Sequence, residues 1–97
     1  MKIFKDKELM EEISILDFGI VPAGETERFK FWVMNDSNAF LKDMEFSIEH
    51  AEVEVIEAPK NLNAKEVREL TIEWSPSITL KEGLKASLRI RSIELWG

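Results

Sequence analysis

Apolar and polar residues alternate with a period of two along most of this chain, which is the pattern of β-strands with one buried face. In the stretch 26–35, Phe29, Phe31 and Val33 share one face, and the residues between them lie on the other. The same alternation recurs in four further stretches: 44–49, 52–55, 69–74 and 84–91. Turn-forming residues separate these stretches, so the pattern predicts an all-β protein built from short strands.

The stretch 16–26 predicts how the first two of these strands are joined. Its residues fit a short strand, a corner and a turn into the next, longer strand. Gly19 and Gly24 adopt positive φ without steric penalty, and Pro22 fixes its own φ and lacks an N–H donor. Together with the regular spacing of the alternating stretches, this predicts a single immunoglobulin-like β-sandwich of about seven strands at residues 13–97.

Residues 1–12 lack this alternation and are expected to form an N-terminal arm. They mix charged residues with Ile3, Phe4, Leu9 and Met10. The stretch has too little patterning for an internal strand, yet its apolar side chains are unfavourable in water. We therefore expect an arm that is mobile in the isolated protein and ordered against a partner.

The last alternating stretch changes phase near residue 92. Its apolar residues fall at even positions up to Ile90 and at odd positions in Ile93 and Leu95. One extra residue in a continuous strand, a β-bulge, produces such a change. A tight hairpin at Arg91-Ser92 produces it too, but Arg-Ser is poor turn chemistry, so the bulge is favoured.

Composition and charge narrow the choice of partners. The chain has 97 residues, 44% of them hydrophobic, which is enough for one domain with a core. Its 13 basic and 19 acidic residues give a formal charge of −6, which repels nucleic acid. The absence of cysteine excludes disulfides, thiol nucleophiles and cysteine-based metal sites. With no long apolar run and no signal-peptide pattern, we expect a protein made in the cytoplasm that has no membrane partner.

Three short motifs suggest chemistry, but none has the context that the chemistry needs. Asp17-Phe18-Gly19 matches the magnesium-binding tripeptide of protein kinases, and the other kinase motifs are missing. His50 is the only histidine, and alternation places Glu49 on the opposite face. Asn35-Asp36-Ser37 fits a glycosylation sequon, which has meaning only in a secreted protein. The sequence therefore predicts no catalytic residue, no cofactor and no metal site, and it indicates that the protein is not an enzyme.

The phase of each strand predicts which side chains form the core. Six of them should be nearly inaccessible: Phe31, Phe46, Ile72, Trp74, Leu88 and Ile90. Each occupies the apolar phase of its strand, so each is expected to face the opposing layer of the sandwich.

The same phases place several large side chains away from the core. Trp32 and Met34 lie opposite the apolar face of their strand, and Trp96 lies opposite Ile93 and Leu95. Exposed aromatic side chains are typical of contact surfaces. Together with the apolar residues of the arm, they form the predicted interface: Ile3, Phe4, Leu9, Met10, Trp32, Met34 and Trp96. The alternative, left open, is that a loop or the N-terminal segment of the same chain covers them.

The order of landmarks from Ile13 to Gly97 resembles that of a known family. The landmarks are Leu16-Asp17-Phe18-Gly19, Gly24, Val33-Met34-Asn35, Pro59, the stretch Leu70 to Pro76, Leu88-Arg89-Ile90 and Leu95-Trp96-Gly97. The series resembles the immunoglobulin-like modules of centrosomal and ciliary proteins and of major sperm protein. In compactness it is more similar to the small immunoglobulin-like structural proteins of tailed bacteriophages. The resemblance implies adhesion to other proteins, without catalytic residues.

From this resemblance we expect a virion structural protein, made in the host cytoplasm, that decorates a capsid or joins head or tail components. Its partners would be capsid or tail proteins, and a homo-oligomer is possible. Two alternatives stay open. One is a cytoplasmic interaction module of the centrosomal or sperm-protein kind, or an accessory subunit that binds a peptide at a sheet edge. The other is a carbohydrate-binding sandwich with a platform of exposed tryptophans.

Overall fold

Antiparallel β-strands in two facing layers make up the structure. The computed structural model describes all 97 residues and contains nine strands and no helix. The strands are β1 (Lys2–Phe4), β2 (Glu12–Ile13), β3 (Leu16–Gly19), β4 (Glu27–Met34), β5 (Phe40–Ile48), β6 (Val53–Glu57), β7 (Val67–Trp74), β8 (Leu84–Ala86) and β9 (Leu88–Leu95). The predicted all-β sandwich is therefore confirmed.

The first layer is a five-stranded sheet in the order β2-β1-β4-β7-β6. Its centre is the β4–β7 pair, which keeps an unbroken register along both strands. Phe29 lies opposite Ile72 and Phe31 lies opposite Leu70, so the apolar faces of the two strands coincide. The polar residues that alternate with these apolar ones lie on the outer face, where Arg28 and Glu73 form a cross-strand ion pair at 2.9 Å.

The second layer consists of β3, the run β8–β9 and β5. Only Ser87 separates β8 from β9, yet the two strands pair with different partners: β8 with β3, and β9 with β5. Along β9 this layer is therefore two strands wide, whereas the first layer is five strands wide. We call the β5–β9 pair the ribbon.

Twelve buried hydrophobic side chains form the core between the layers. Ile72 and Trp74 are fully buried, and the ring of Phe18 meets the rings of Phe29 and Phe31 edge to face at 5.0 Å and 6.2 Å. The predicted burial of Phe31, Ile72 and Trp74 is confirmed.

The predicted burial of the other three core candidates is wrong in degree. Phe46, Leu88 and Ile90 pack against the core but are only half-buried. All three belong to the ribbon, where no third strand shields the inner face from the side. The phase of these strands was correctly predicted, but the width of the layer, which decides how much of each side chain is covered, was not.

Neither explanation of the change of phase near residue 92 is correct, because β9 contains no hairpin and no extra residue, and the bulge in this pair of strands lies in β5. β9 continues without a hairpin from Leu88 to Leu95. Lys42 pairs with Ile93 and Glu45 pairs with Arg91, so two residues of β5 oppose Ser92 alone. One of the two, Asp43, has a φ of 52°. Because β9 alternates without interruption, Ile93 and Leu95 lie on its outer face, as Arg89 and Arg91 do.

The N-terminal segment is built into the first layer, and the expectation that it contains no internal strand is wrong. β1 lies between β2 and β4, with Phe4 opposite Trp32 on one side and Glu12 on the other. The connecting loop is held by the Asp6 carboxylate, which accepts hydrogen bonds from the backbone N–H groups of Met10 and Glu11. A strand of three residues is too short to show alternation, so the pattern could not reveal it.

The corner between β3 and β8 depends on two glycines in contact. Gly83 has a φ of 77°, and a Cβ at this position would lie 2.7 Å from the carbonyl oxygen of Gly19. Any other residue at 83 would meet both a steric clash and an unfavourable backbone conformation. The predicted corner at Gly19 is thus closed by a second glycine from the far end of the sequence.

Candidate interaction surface

The residues of the predicted interface are divided among three environments. Phe4 is only 7% exposed, and Ile3 lies opposite the buried Val33 and packs against the core. The half-buried members are Leu9, Trp32 and Met34. Met10 and Trp96, at 84% and 66% exposure, are the only members that are open to a partner over most of their surface.

Trp32 is partly covered by the N-terminal strand, which is one of the alternatives left open by the sequence. Its register neighbours are Phe4 on β1 and Glu69 on β7. Phe4 is buried but does not belong to the core between the layers, so it is covered on the outer face of the first layer. Phe4 and Trp32 are thus cross-strand neighbours on the outside of the sheet.

Exposed apolar side chains cluster at the far end of the ribbon. Phe40 is half-buried and pairs with Leu95, and Ile93, Leu95 and Trp96 are 49%, 46% and 66% exposed. These four residues are referred to below as the ribbon end. Ile93 and Leu95 lie on the outer face of the ribbon, and alternation places Glu94 on its inner face. The Trp96 indole N–H donates to the Glu94 carboxylate at 3.3 Å, so the indole lies towards the inner face. The ribbon end therefore presents apolar side chains in two directions.

Sequence reasoning found Trp96 but did not predict that Ile93 and Leu95 are exposed, and it assigned no face to Phe40. The signal was the change of phase at residue 92, which moves Ile93 and Leu95 to the outer face once β9 is continuous. Every residue from 91 to 97 is exposed, so no other part of the chain covers this end.

A second apolar exposure, at the opposite end of the sandwich, was also missed. Ile20 and Ile78 are 58% and 69% exposed and belong to the β3–β4 and β7–β8 loops. The loops are tied together where the backbone N–H of Ala23 donates to the Thr79 hydroxyl at 2.8 Å. These apolar residues lie in turn-rich stretches without alternation, so phase arguments do not apply to them.

The sequon residue Asn35 has a structural task. It is 1% exposed, and its side-chain amide donates to the carbonyl oxygens of Ala39 and Asn63 at 2.8 Å and 3.0 Å. Its own side-chain oxygen accepts from the N–H and the hydroxyl of Ser37. The side chain therefore ties two loops together and offers no free nitrogen for a sugar.

Three carboxylates have a lowered pKa because hydrogen bonds stabilise their charged form. For Asp6 the main cause is the bond from the Glu11 N–H, and for Glu66 it is the bond from the Asn63 N–H. The pKa of Asp36 is lowered chiefly by a hydrogen bond from the N-terminal ammonium group, 2.6 Å away. All three lie in loops: Asp6 and Glu66 hold turns together, and Asp36 joins its loop to the N-terminus.

The remaining motif residues also serve turns. The Asp17 carboxylate accepts from the Gly19 N–H at 3.0 Å, and His50 Nδ1 accepts from the Glu52 N–H at 3.2 Å. No group of three or more His, Cys, Asp or Glu side chains is placed to hold a metal ion. The surface depression beside His50 has a volume of about 290 Å³, and its lining includes Glu49, Lys85 and Arg89. No hydrogen bond joins the Glu49 carboxylate to His50, so the two do not form an acid–base pair.

Comparison with known proteins adds no relative. No family model, no curated protein and no solved structure matches the chain. The structure has no helix that could cross a membrane. The ribbon end is therefore proposed as the functional surface on the strength of its own geometry.

Proposed function

We propose that this protein is a non-enzymatic structural protein that joins an assembly through protein–protein contacts at the ribbon end. The observation that carries the proposal is the exposure of Ile93, Leu95 and Trp96 on two faces of one strand end. Large apolar side chains are unfavourable in water, and burial against a partner removes that cost at about 25 cal/mol per Å². A tryptophan that fills a partner's pocket typically contributes about 2 kcal/mol or more.

The setting that we propose for this contact is a virion of the tailed-bacteriophage kind. Its support is the resemblance of the landmarks between Leu16 and Trp96 to small immunoglobulin-like phage proteins. In such a particle the domain would decorate the capsid or join head or tail components, with capsid or tail proteins as its partners.

A cellular interaction module is the second candidate. It uses the same apolar contact, so the choice between the two rests on the source of the partner. The carbohydrate-binding alternative draws less support from the geometry, because Trp74 lies in the core and Trp32 is half-buried beside Phe4. That leaves Trp96 as a lone exposed indole rather than part of a platform.

The test compares particle incorporation of Trp96→Ala with that of Ile78→Ala, a matched variant of an exposed apolar residue at the opposite end. Particles from the source virus are purified by density gradient, and the protein is quantified by mass spectrometry. We expect the wild type and Ile78→Ala to be recovered with the particles and Trp96→Ala to be depleted about tenfold or more, with all three folded by circular dichroism. Absence of the wild type from particles would overturn the virion setting. Equal incorporation of all three would overturn the role of the ribbon end.

A further inference from the structure

Several strands of the sandwich are hydrogen-bonded on one side only, and β6 and β9 are two of them. β6 pairs with β7 alone, and β9 pairs with β5 alone. Each edge therefore presents free backbone N–H and C=O groups, which is the geometry that recruits a further strand. The two edges belong to different layers of the sandwich.

The two edges carry opposite charges. On β6, Glu54 and Glu57 are exposed and lie opposite Glu73 and Thr71, on the outer face of the first layer. We call this the acidic edge. On β9, Arg89 and Arg91 are exposed and alternate with core-facing residues, so both point outward. We call this the basic edge.

These charges are largely unpaired within the chain. Glu54, Glu57 and Arg91 form no ion pair, and Arg89 has one loose contact with Glu49, at 3.6 Å between side chains that are 72% and 87% exposed. An ion pair exposed to this degree is weak, so all four charges are free to meet a partner.

The spacing of the charges is the same on both edges. The register of β6 shifts between Val55 and Glu57, which makes Ile56 an extra residue in the ladder. Glu54 and Glu57 are therefore two ladder steps apart, opposite residues 73 and 71. Arg89 and Arg91 are also two steps apart, opposite Ser47 and Glu45.

We propose that the acidic edge of one copy pairs with the basic edge of a second copy of this chain. In this pairing, the strands add backbone hydrogen bonds, and the two glutamates of β6 face the two arginines of β9. Pairing of like edges brings glutamates near glutamates or arginines near arginines, which disfavours it. Since the contact joins unlike edges, a pair of bound copies still has one free acidic edge and one free basic edge at its two ends, and association continues head to tail.

The proposal goes beyond contact with an assembly partner, because it concerns copies of this chain and uses charges rather than the apolar ribbon end. Exposed Ile56 on the acidic edge adds apolar surface to the same contact. Pairing along the five residues of β6 is short, so the association is expected to be weak and sensitive to salt.

The test measures mass against concentration by sedimentation velocity for the wild type and two charge-reversed variants. One variant is Arg89→Glu with Arg91→Glu, and the other is Glu54→Lys with Glu57→Lys. We expect the wild type to form species larger than dimers as concentration rises and as salt falls. Each variant alone should lose about tenfold or more in association constant, since attraction becomes repulsion at two positions.

Two further samples, in which self-association should be restored, test whether these two edges pair with each other. The variant with all four changes and the equimolar mixture of the two variants should both associate like the wild type, because opposite charges face each other again. The matched controls are Lys7→Glu with Lys81→Glu and Glu8→Lys with Glu82→Lys. They change the net charge equally at exposed residues away from both edges, and they should associate like the wild type.

The outcomes that would overturn the proposal are also distinct. A monomer at every concentration and salt level excludes self-association, and a mass that stops at the dimer excludes a head-to-tail contact. Failure of the mixture to associate, with both variants folded by circular dichroism, excludes the pairing of these two edges. Trp96→Ala should leave self-association unchanged, so failure of the ribbon-end contact and failure of the edge contact are told apart.

Discussion

Single side chains in the core decide most of the stability of this sandwich. Ile72 is fully buried opposite Phe29, so Ile72→Ala removes its contacts and leaves a cavity. The expected loss in the free energy of unfolding is about 2–5 kcal/mol, measured by urea denaturation. The control is Ile78→Ala, which is 69% exposed and should change stability by about 0.5 kcal/mol or less. A loss of under about 1 kcal/mol for Ile72→Ala would show that its assigned phase is wrong.

Gly83 is the backbone position with the least freedom to change. Its substitution by alanine places a methyl group 2.7 Å from the Gly19 carbonyl oxygen at a φ of 77°. We expect a loss of about 2–4 kcal/mol by thermal or urea denaturation, with the clash added to the cost of positive φ. Gly24→Ala is the matched control, because Gly24 also has positive φ but no atom within 4 Å of the added Cβ. Equal losses for the two variants would mean that the β3–β8 corner relaxes and the contact carries no cost.

The loop carboxylates predict how stability depends on pH. Asp6, Asp36 and Glu66 have a lowered pKa in the folded protein, so they contribute stability that is fully present above the pKa of the unfolded chain. That contribution is lost as the pH falls through the folded pKa, which lies below the ordinary value of 3.8 for the two aspartates and of 4.5 for Glu66. In untagged protein, the free energy of unfolding should therefore decrease as the pH is lowered from about 5 to 2.

Asp36→Asn tests the source of this dependence. It removes the acceptor of the N-terminal ammonium group, so the decrease in stability with falling pH should become shallower. Glu8→Gln, at an exposed carboxylate without a hydrogen bond, is the control and should keep the wild-type slope. A wild-type slope for Asp36→Asn would contradict a role for this contact.

At the scale of the elements, β1 ties the N-terminal segment to the first layer through Phe4 and Trp32. We expect Phe4→Ala to cost about 3 kcal/mol and Trp32→Ala about 1–3 kcal/mol, since the first side chain is buried and the second half-buried. The double variant should show a coupling of about 0.5–1.5 kcal/mol in urea denaturation. Phe4→Ala combined with Trp96→Ala is the control, and the two costs should simply add. Additive costs for Phe4 and Trp32 would show that β1 does not cover the indole.

The elements differ in how far the sequence could predict them. The alternation at 69–74 and at Phe29 to Val33 identified β7 and β4 because both strands have one buried and one exposed face over several residues. β1 escaped prediction because its three residues are too few for a pattern and its partner is distant in the sequence. The extra residue in β5 escaped because the alternation recognised in this strand begins only at Met44, whereas Leu41, on the other side of the bulge, is buried at an odd position.

The exposed residues of the ribbon end could be predicted only in part, because the pattern along one strand does not show what lies beside it. Alternation tells which residues share a face but not whether another element covers that face. Trp32 and Trp96 have similar sequence signals, yet β1 lies beside the first and nothing covers the second. The matching charges of β6 and β9 could not be predicted either. That these two strands are edge strands is known only from the strand order of both layers.

At the scale of the whole molecule, the two layers are unequal. The five-stranded layer buries the centre of its inner face, whereas the ribbon leaves Phe46 and Ile90 half-buried and ends in exposed apolar side chains. The structure is correspondingly elongated, with extents of 48 × 26 × 16 Å. Stability is thus concentrated at the centre of the sandwich, and the surfaces proposed for contact lie at its end and along its sides.

The pairing of Phe40 with Leu95 also has a consequence for synthesis. On the ribosome, β5 emerges long before the strand that completes its layer, whereas β4, β6 and β7 emerge close together. The nascent chain therefore carries β5 without its partner strand until residue 95 has left the exit tunnel. Unpaired strands at this stage attract chaperones and neighbouring nascent chains on the same polysome. The speed of translation past β7 thus sets how long the unfinished layer is exposed to them.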